Sequence, residues 1–441
     1  MIKKVYEIFF INDEFFPYVI IKKFRKNQEY KRLFSNFTYL SFLQVANYIF
    51  PLIAMPYLIR VIGVEYVGLL GFATSTISYL QIITDYGFNL SATRRISVYR
   101  NDRLKLIEIF SSVIMIKVTL LFVAFLILLV LIYGFEKFNK DALIFFISFG
   151  IVIGDSFFPL WFFQGMEHMK YITYLNVLAK GIFTLAVFIF VKKQNNYYLV
   201  PLFTSLGSLI STICSIYIIK NKFGIIFRFQ ELNTVKKYFY EGWHIFVSSI
   251  FSAMYRNANT FILGLLTNNT IVGYYFIAEK IVKVLQSLQG IVGNTLFPYF
   301  SKKFNVTNKF FFDLNDKFLK IIFFIYLSMS LITLFSAKYI IYILAGEFNR
   351  IMILNLQIIS FVILIGGFNY YYGILGLVTM SYEKDFSQCV IITGLLNLFF
   401  CSILVYLFPY YGAAISLVVS ESILLLLLFL KILKIKKNLN N

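Results

Sequence analysis

The sequence predicts an all-α integral membrane protein, with twelve transmembrane helices in two six-helix lobes around a central cavity. Three observations predict it. Hydrophobic residues make up 59% of the 441-residue chain and charged residues 14%, with a mean hydropathy of +0.77, which leaves too little polar surface to cover a soluble body of that size. Twelve apolar runs reach the roughly 20 residues needed to cross a bilayer. The Lys and Arg residues crowd into alternate gaps between those runs.

The runs fall at about 36–58, 67–91, 110–133, 142–164, 171–191, 198–219, 243–265, 271–299, 318–337, 351–379, 387–408 and 412–430. Of the 41 Lys and Arg, 29 lie on the side shared by both termini, seven on the other side and five inside runs. The positive-inside rule therefore places both termini in the cytoplasm. The net charge of +20 does not describe a nucleic-acid binder, because the bases sit in short separated gaps and form no continuous patch.

Residues 1–34 mix Phe9, Phe10, Phe15, Phe16 and Ile20 with Lys22, Lys23, Arg25 and Lys26. That mixture suits a stretch lying on an anionic membrane face, or else a disordered basic tail, since Pro17 and the acidic cluster before it break the helical pattern. No apolar core followed by a small-residue cleavage site precedes the first run, so no cleaved signal is expected. The predicted organisation is a basic cytoplasmic segment at 1–34, a first lobe at 35–220, a linker at 221–241, a second lobe at 242–431 and a basic tail at 432–441. Connections on the outer side are short, which disfavours an enzyme acting there.

Metal and nucleotide chemistry find no support. Cys214, Cys389 and Cys401 each lie inside an apolar run at no metal or redox spacing, as small packing residues would. His168 and His244 have no second ligand at metal spacing. Asp313 and Asp316 read as solvated acids at a helix start, and no phosphate-binding Gly-Lys-Ser/Thr loop is present. No cofactor is expected, and the driving energy must come from a gradient, a partner or the substrate's own disequilibrium.

A faint internal repeat supports the two lobes. Val67-Gly68-Leu69-Leu70-Gly71-Phe72-Ala73 is similar to Val272-Gly273-Tyr274-Tyr275-Phe276-Ile277-Ala278, at an offset of 205 residues. Six spans per half keep the halves in the same orientation, related by an axis along the membrane normal.

Polar residues then recur at helical spacing inside the runs. Thr74, Ser78, Gln81, Asp85 and Asn89 form one stripe, Lys280, Lys283, Ser287, Gly290 and Asn294 a second, and Ser249, Ser252, Arg256 and Asn259 or Thr260 a third. Gln44 and Asn47 add to the first run, and Lys117, Asp155, Lys180 and Glu421 are buried charges of other runs. Glu279 and Lys283 stand at i,i+4 with the acid first, the favourable order. A charge at bilayer depth is costly unless it faces a partner or a wet cavity. The bland reading is a set of internal ion pairs holding the bundle together. The functional reading is a basic cavity for an anion, because Arg256, Lys280 and Lys283 have only Glu279 as a near neighbour in sequence.

Several stretches carry a resemblance to a known family. They are Pro56-Tyr57-Leu58-Ile59-Arg60-Val61-Ile62-Gly63-Val64-Glu65-Tyr66-Val67-Gly68, Asp85-Tyr86-Gly87-Phe88-Asn89-Leu90-Ser91-Ala92-Thr93-Arg94-Arg95, Pro159-Leu160-Trp161-Phe162-Phe163-Gln164-Gly165-Met166-Glu167 and the segment from Val272 to Lys280. With the twelve-span layout, the chain beyond residue 34 resembles the O-antigen type flippases, the polysaccharide-export branch of the multidrug/oligosaccharidyl-lipid/polysaccharide exporter superfamily.

The resemblance implies a protein of the bacterial inner membrane that moves undecaprenyl-diphosphate-linked oligosaccharide units to the outer leaflet through a cavity opening alternately to each side. Membrane lipid surrounds it, and glycan polymerases or glycosyltransferases are the implied partners. On that reading Arg256, Lys280 and Lys283, with Lys117 and Lys180, attract the diphosphate or acidic sugars. Asn259, Gln44, Asn47 and Gln81 bond sugar hydroxyls, and Asp85, Asp155 or Glu279 couples an ion. One departure stands out: where the family often has an acid shortly after the arginine, this chain reads Asn257-Ala258-Asn259. The rival readings are a drug or cation antiporter of the same superfamily, a flippase for the cell-wall lipid precursor, and a membrane glycan polymerase.

Overall fold

The computed structural model describes residues 28–306 and 315–440, and every regular element among them is helical. The expectations for the basic segment before residue 28 and for Asp313 lie outside the described residues.

Helix α1, Gln28–Asp85, runs through the first two predicted spans as one 58-residue rod broken at Gly63. Gly63 has φ 82°, a region that a side chain disfavours, while a Cβ there would meet nothing closer than 3.8 Å. Backbone conformation, not space, requires the glycine. Pro51 and Pro56 lie inside the same helix, each removing one ladder hydrogen bond. Tyr86 (φ 46°) and Gly87 (φ 76°) then turn the chain into α2, Phe88–Val98. Tyr86 tolerates its unfavourable φ because its ring is buried and stacks on Phe239 at 4.5 Å and Phe246 at 4.6 Å.

The first half continues with α3 (Arg103–Gly134), capped by the Asp102 carboxylate, which accepts the Lys105 N–H at 3.1 Å. It then passes through the short α4 (Glu136–Asn139), α5 (Ala142–Phe157), α6 (Leu160–Gly165) and α7 (Met169–Phe190). A 3₁₀ turn at Gln194–Tyr198 leads to α8 (Leu199–Phe223), which Gly224 ends at φ 64°. The second half comprises α9 (Leu232–Leu266), α10 (Asn269–Val306), α11 (Asn315–Ala345) and α12 (Arg350–Tyr370), which continues as a π-helical turn at Tyr371–Val378. It closes with α13 (Glu383–Leu407) and α14 (Gly412–Asn440).

Among the described residues, nine helical stretches are long and apolar enough to cross a membrane. The first, Thr38–Val98, takes in both of the first two predicted runs. The runs predicted at 243–265 and 271–299 lie in α9 and α10, which are not among the nine and whose side chains fall partly outside the described residues.

Helix α1 packs against α5 and α7 of its own half and against α9 and α10 of the other. At that crossing the repeat becomes visible in space. A Cβ on Gly68 would lie 1.9 Å from the Asn269 carbonyl oxygen, and one on Gly273 would lie 2.2 Å from the Val64 carbonyl oxygen. Asn269 follows Val64 by the same 205 residues that separate Gly273 from Gly68, so the contact maps onto itself under a local two-fold. Two glycines let α1 and α10 touch backbone to backbone.

Candidate functional site

A cavity of about 750 Å³ lies between α1, α5, α7, α8 and α10. Four of its five walls belong to the first half of the chain, and α10 closes the fifth with Phe276, Lys280 and Lys283.

The stripe predicted from Thr74 to Asn89 divides into three roles. Thr74, Asp85 and Asn89 line the cavity. Ser78 accepts a hydrogen bond from Asn257 Nδ2 at 3.0 Å, joining α1 to α9. Gln81 stands behind the wall and donates through Nε2 to Asp155 Oδ2 at 2.6 Å, while Ser208 Oγ donates to Asp155 Oδ1 at 2.5 Å. Asp155 is thus held on two sides by neutral donors with its carboxylate toward the cavity, and such charge-assisted bonds fix its direction.

The bases sort just as clearly. Lys180 lines the cavity and donates to Asn47 Oδ1 at 2.7 Å, which aims both across α1 and α7. Lys280 sits over the Phe276 ring, 5.0 Å from its centre, a cation–π contact that steadies the ammonium without neutralising it. Lys283 pairs with Glu279 at 3.0 Å, as the i,i+4 order predicts, and reaches the Arg256 carbonyl at 3.5 Å. Glu279 is buried, and its other contacts are the Thr260 hydroxyl at 3.0 Å and the Tyr275 hydroxyl at 3.3 Å.

Besides Gln81 and Glu279, four further predicted site residues fall outside the lining. Lys117 is 1% exposed and pairs with Asp85 at 3.4 Å, so its ammonium steadies a wall residue from behind. Arg256 is exposed on α9 outside the lining residues, and no ion pair among the described residues includes it. Gln44 is likewise exposed outside the lining. Asn259 is buried; it donates to the Ala413 carbonyl at 2.9 Å and accepts from Asn397 at 2.8 Å, stitching α9 to α13 and α14. Its place is in the packing of the second half. The side chains of Ser252 and Asn294 lie outside the described residues.

Sequence reasoning missed Asn176, Thr184 and Thr204, which also line the cavity. The signal was present: Asn176, Lys180 and Thr184 stand at steps of four on α7, and Thr204, Ser208 and Ser211 at steps of four and three on α8. A hydroxyl in an otherwise greasy helix carries too little cost to draw notice alone.

The cavity thus offers three ammonium groups, two carboxylates and a band of amides and hydroxyls, with apolar patches from Phe50, Leu58 and Phe183. It can hold an anionic group beside a polyhydroxylated one.

The sequence pattern of the family described as "Polysaccharide biosynthesis protein" matches residues 33–304. The chain belongs to this family. Two of its relatives carry the printed name "Putative O-antigen transporter". One, from Escherichia coli (strain K12), is 30% identical over 403 residues, covering 90% of this chain and 96% of the relative. The other, from Shigella dysenteriae, is 27% identical over 401 residues, covering 88% and 97%. Relatives of this family member are thus named as transporters and not as enzymes.

Solved structures share the fold. The lipid II flippase MurJ in its inward closed conformation superposes with a TM-score of 0.68 at 14% identity, over 90% of this chain and 87% of that one. An inward-facing multidrug resistance MATE family transporter of the MOP superfamily gives 0.63 at 13% identity, over 87% and 98%. At such low identity the likeness carries the fold alone.

Proposed function

We propose that this protein flips lipid-linked oligosaccharide units across the bacterial inner membrane for surface polysaccharide synthesis, the lipid being undecaprenyl diphosphate. The observation that carries the reading is the cavity, in which Lys180, Lys280 and Lys283 stand beside a wall of amides and hydroxyls. A glycan and its diphosphate cannot enter hydrocarbon unaided, since each unpaired hydroxyl moved there costs on the order of 2–7 kcal/mol. The polyprenyl tail needs no such shelter and can stay in lipid. The two cavity ends of Lys180 and Lys280 suit the diphosphate, and Asn47, Asp155, Asn176 and Ser208 suit the sugar hydroxyls.

The architecture behind this reading has twelve crossings, both termini in the cytoplasm, and two lobes divided at 221–241. The count follows from reading the kinked α1 as two crossings and admitting α9 and α10, the latter with Glu279 and Lys283 paired to each other and Lys280 lining the cavity. On that topology the Gly68–Gly273 contact sits at the outer face. Three further bonds join the halves at the same end: Arg60 to the Ile343 carbonyl at 2.5 Å, Lys137 to the Thr267 carbonyl at 2.6 Å, and Asn269 to Asp141 at 3.5 Å. The cavity is then closed to the outside, one of the two states that alternating access requires. Asp85, Asp155 and Glu279 are the groups for ion coupling, and Asp155 is the one of the three not paired with a lysine by a salt bridge among the described residues.

Lys280→Ala tests the reading. With membrane levels held equal, surface glycan should fall about tenfold, as loss of a charge-assisted phosphate contact implies, and Lys280→Arg should restore most of it. Undiminished glycan display in Lys280→Ala would remove this cavity from the mechanism. An antiporter of cationic drugs would call for acids in excess, and here three bases face two acids.

A further inference from the structure

The charges lining the cavity do not cancel one another, and what is left over selects among glycans. Asp85 is paired with Lys117 at 3.4 Å, and Lys283 with Glu279 at 3.0 Å. Among the described residues, three charged lining groups then stand outside any salt bridge: Lys180, Lys280 and Asp155. Lys180 on α7 and Lys280 on α10 act on each other electrostatically, so an anion between them relieves a repulsion. A lipid diphosphate glycoside carries two negative charges, one on each phosphate, and meets these two ammoniums one for one. Asp155 is then the lining charge without a counterpart.

Asp155 is built to stay charged. Gln81 Nε2 donates to Oδ2 at 2.6 Å and Ser208 Oγ to Oδ1 at 2.5 Å, so both oxygens serve as acceptors, as an ionised carboxylate requires. Around it the wall offers neutral groups, Asn176 on α7 and Thr204 and Ser211 on α8, while the second carboxylate of the lining, Asp85, acts on it from α1. A sugar hydroxyl placed here donates to Asp155 and gains a charge-assisted bond. A uronic acid in the same place brings a third negative charge, meets no ammonium that the diphosphate has not already engaged, and faces a fixed carboxylate where the dielectric is low. We propose that Asp155 screens the glycan by charge: the cavity takes lipid-linked glycans whose sugars beside the diphosphate are uncharged, and rejects those that carry a carboxylate there. This rests on the flipping function proposed above and narrows its substrate class.

The test is equilibrium binding to the purified full chain in detergent at neutral pH, read as displacement of a fluorescent polyprenyl diphosphate. Three synthetic polyprenyl-diphosphate disaccharides compete, alike except that the outer sugar is glucose, glucuronate or the methyl ester of glucuronate. Wild type should bind the glucose probe about tenfold tighter than the glucuronate probe, the size of one partly screened like-charge contact. The methyl ester, which has the acid's shape without its charge, should bind within about twofold of the glucose probe. Asp155→Asn should shrink the tenfold preference to about twofold or less, and Asp155→Glu should keep it. The methyl-ester comparison needs no variant, so the proposal stays open to refutation even if Asp155→Asn does not fold. The proposal is overturned if wild type binds glucose and glucuronate probes alike, if the methyl ester binds as poorly as the acid, or if Asp155→Asn keeps the full preference. Failure of the fluorescent polyprenyl diphosphate itself to bind saturably would instead remove the flipping function, and this inference with it.

Discussion

Replacing Gly68 by alanine puts a methyl group where the Asn269 carbonyl oxygen already sits. The added Cβ would lie 1.9 Å from that oxygen and 2.5 Å from the Gly273 nitrogen. Ordinary contact needs about 3.4 Å or more, so α1 and α10 must part by about 1.5 Å at this crossing. Both obstructing atoms are backbone, and no rotamer change relieves them. Overpacking of this kind costs about 1–3 kcal/mol, charged wholly to the state in which the two helices touch. The ratio of outer-closed to outer-open molecules should fall by about 5- to 150-fold. To read it, a single cysteine is placed at Leu58, which lines the cavity, in a background lacking Cys214, Cys389 and Cys401. A membrane-impermeant maleimide added outside intact cells should label this cysteine several-fold faster in Gly68→Ala than in the parent. By the local two-fold, Gly273→Ala should behave alike, with its Cβ 2.2 Å from the Val64 oxygen. Labelling unchanged in both variants, at normal protein levels, would refute the assignment of this crossing as the outer closure.

Further outcomes follow from the same geometry. Asn259→Ala strands the Asn397 and Ala413 partners and should lower stability by about 1–2 kcal/mol, seen as a reduced unfolding temperature, while glycan export per folded molecule stays near wild type because the residue is away from the cavity. Arg95 grips Glu241 through both arms of its guanidinium, binding α2 to α9. Arg95→Glu should impair export or stability, and the exchanged pair Arg95→Glu with Glu241→Arg should recover it; lack of recovery would show that the pair's charge complementarity is not what matters. Asp155→Asn retains one of its two bonds, to Gln81 or Ser208; if Asp155 couples an ion, export should lose its dependence on the membrane gradient with protein level unchanged.

The helical fold and its polar faces were legible in the chain itself. Apolar runs of bilayer length announce helices because hydrocarbon leaves backbone groups no partner but each other. Steps of three and four put Thr74, Asp85 and Asn89 on one face of α1 and Lys280 and Lys283 on one face of α10, and both faces do meet the cavity. The i,i+4 pair of Glu279 and Lys283 was readable because both partners share one helix. The 205-residue offset was readable too, though only the contact of Gly68 with Asn269 and of Gly273 with Val64 shows why those glycines are there.

Tertiary structure alone decided where each buried charge goes. A lysine inside an apolar run must find a partner, but its sequence position does not say which helix supplies one. Lys117 finds Asp85 on α1, Lys180 finds Asn47, and Lys280 finds an aromatic face, while Arg256, the most conspicuous charge in the sequence, stands outside the cavity lining. Asn259, from the same polar stripe as Arg256, serves the packing of α9 on α13. Periodicity fixes the face of a helix; which neighbour that face meets depends on how long rods cross, and here that crossing is set by two small residues that let backbones touch.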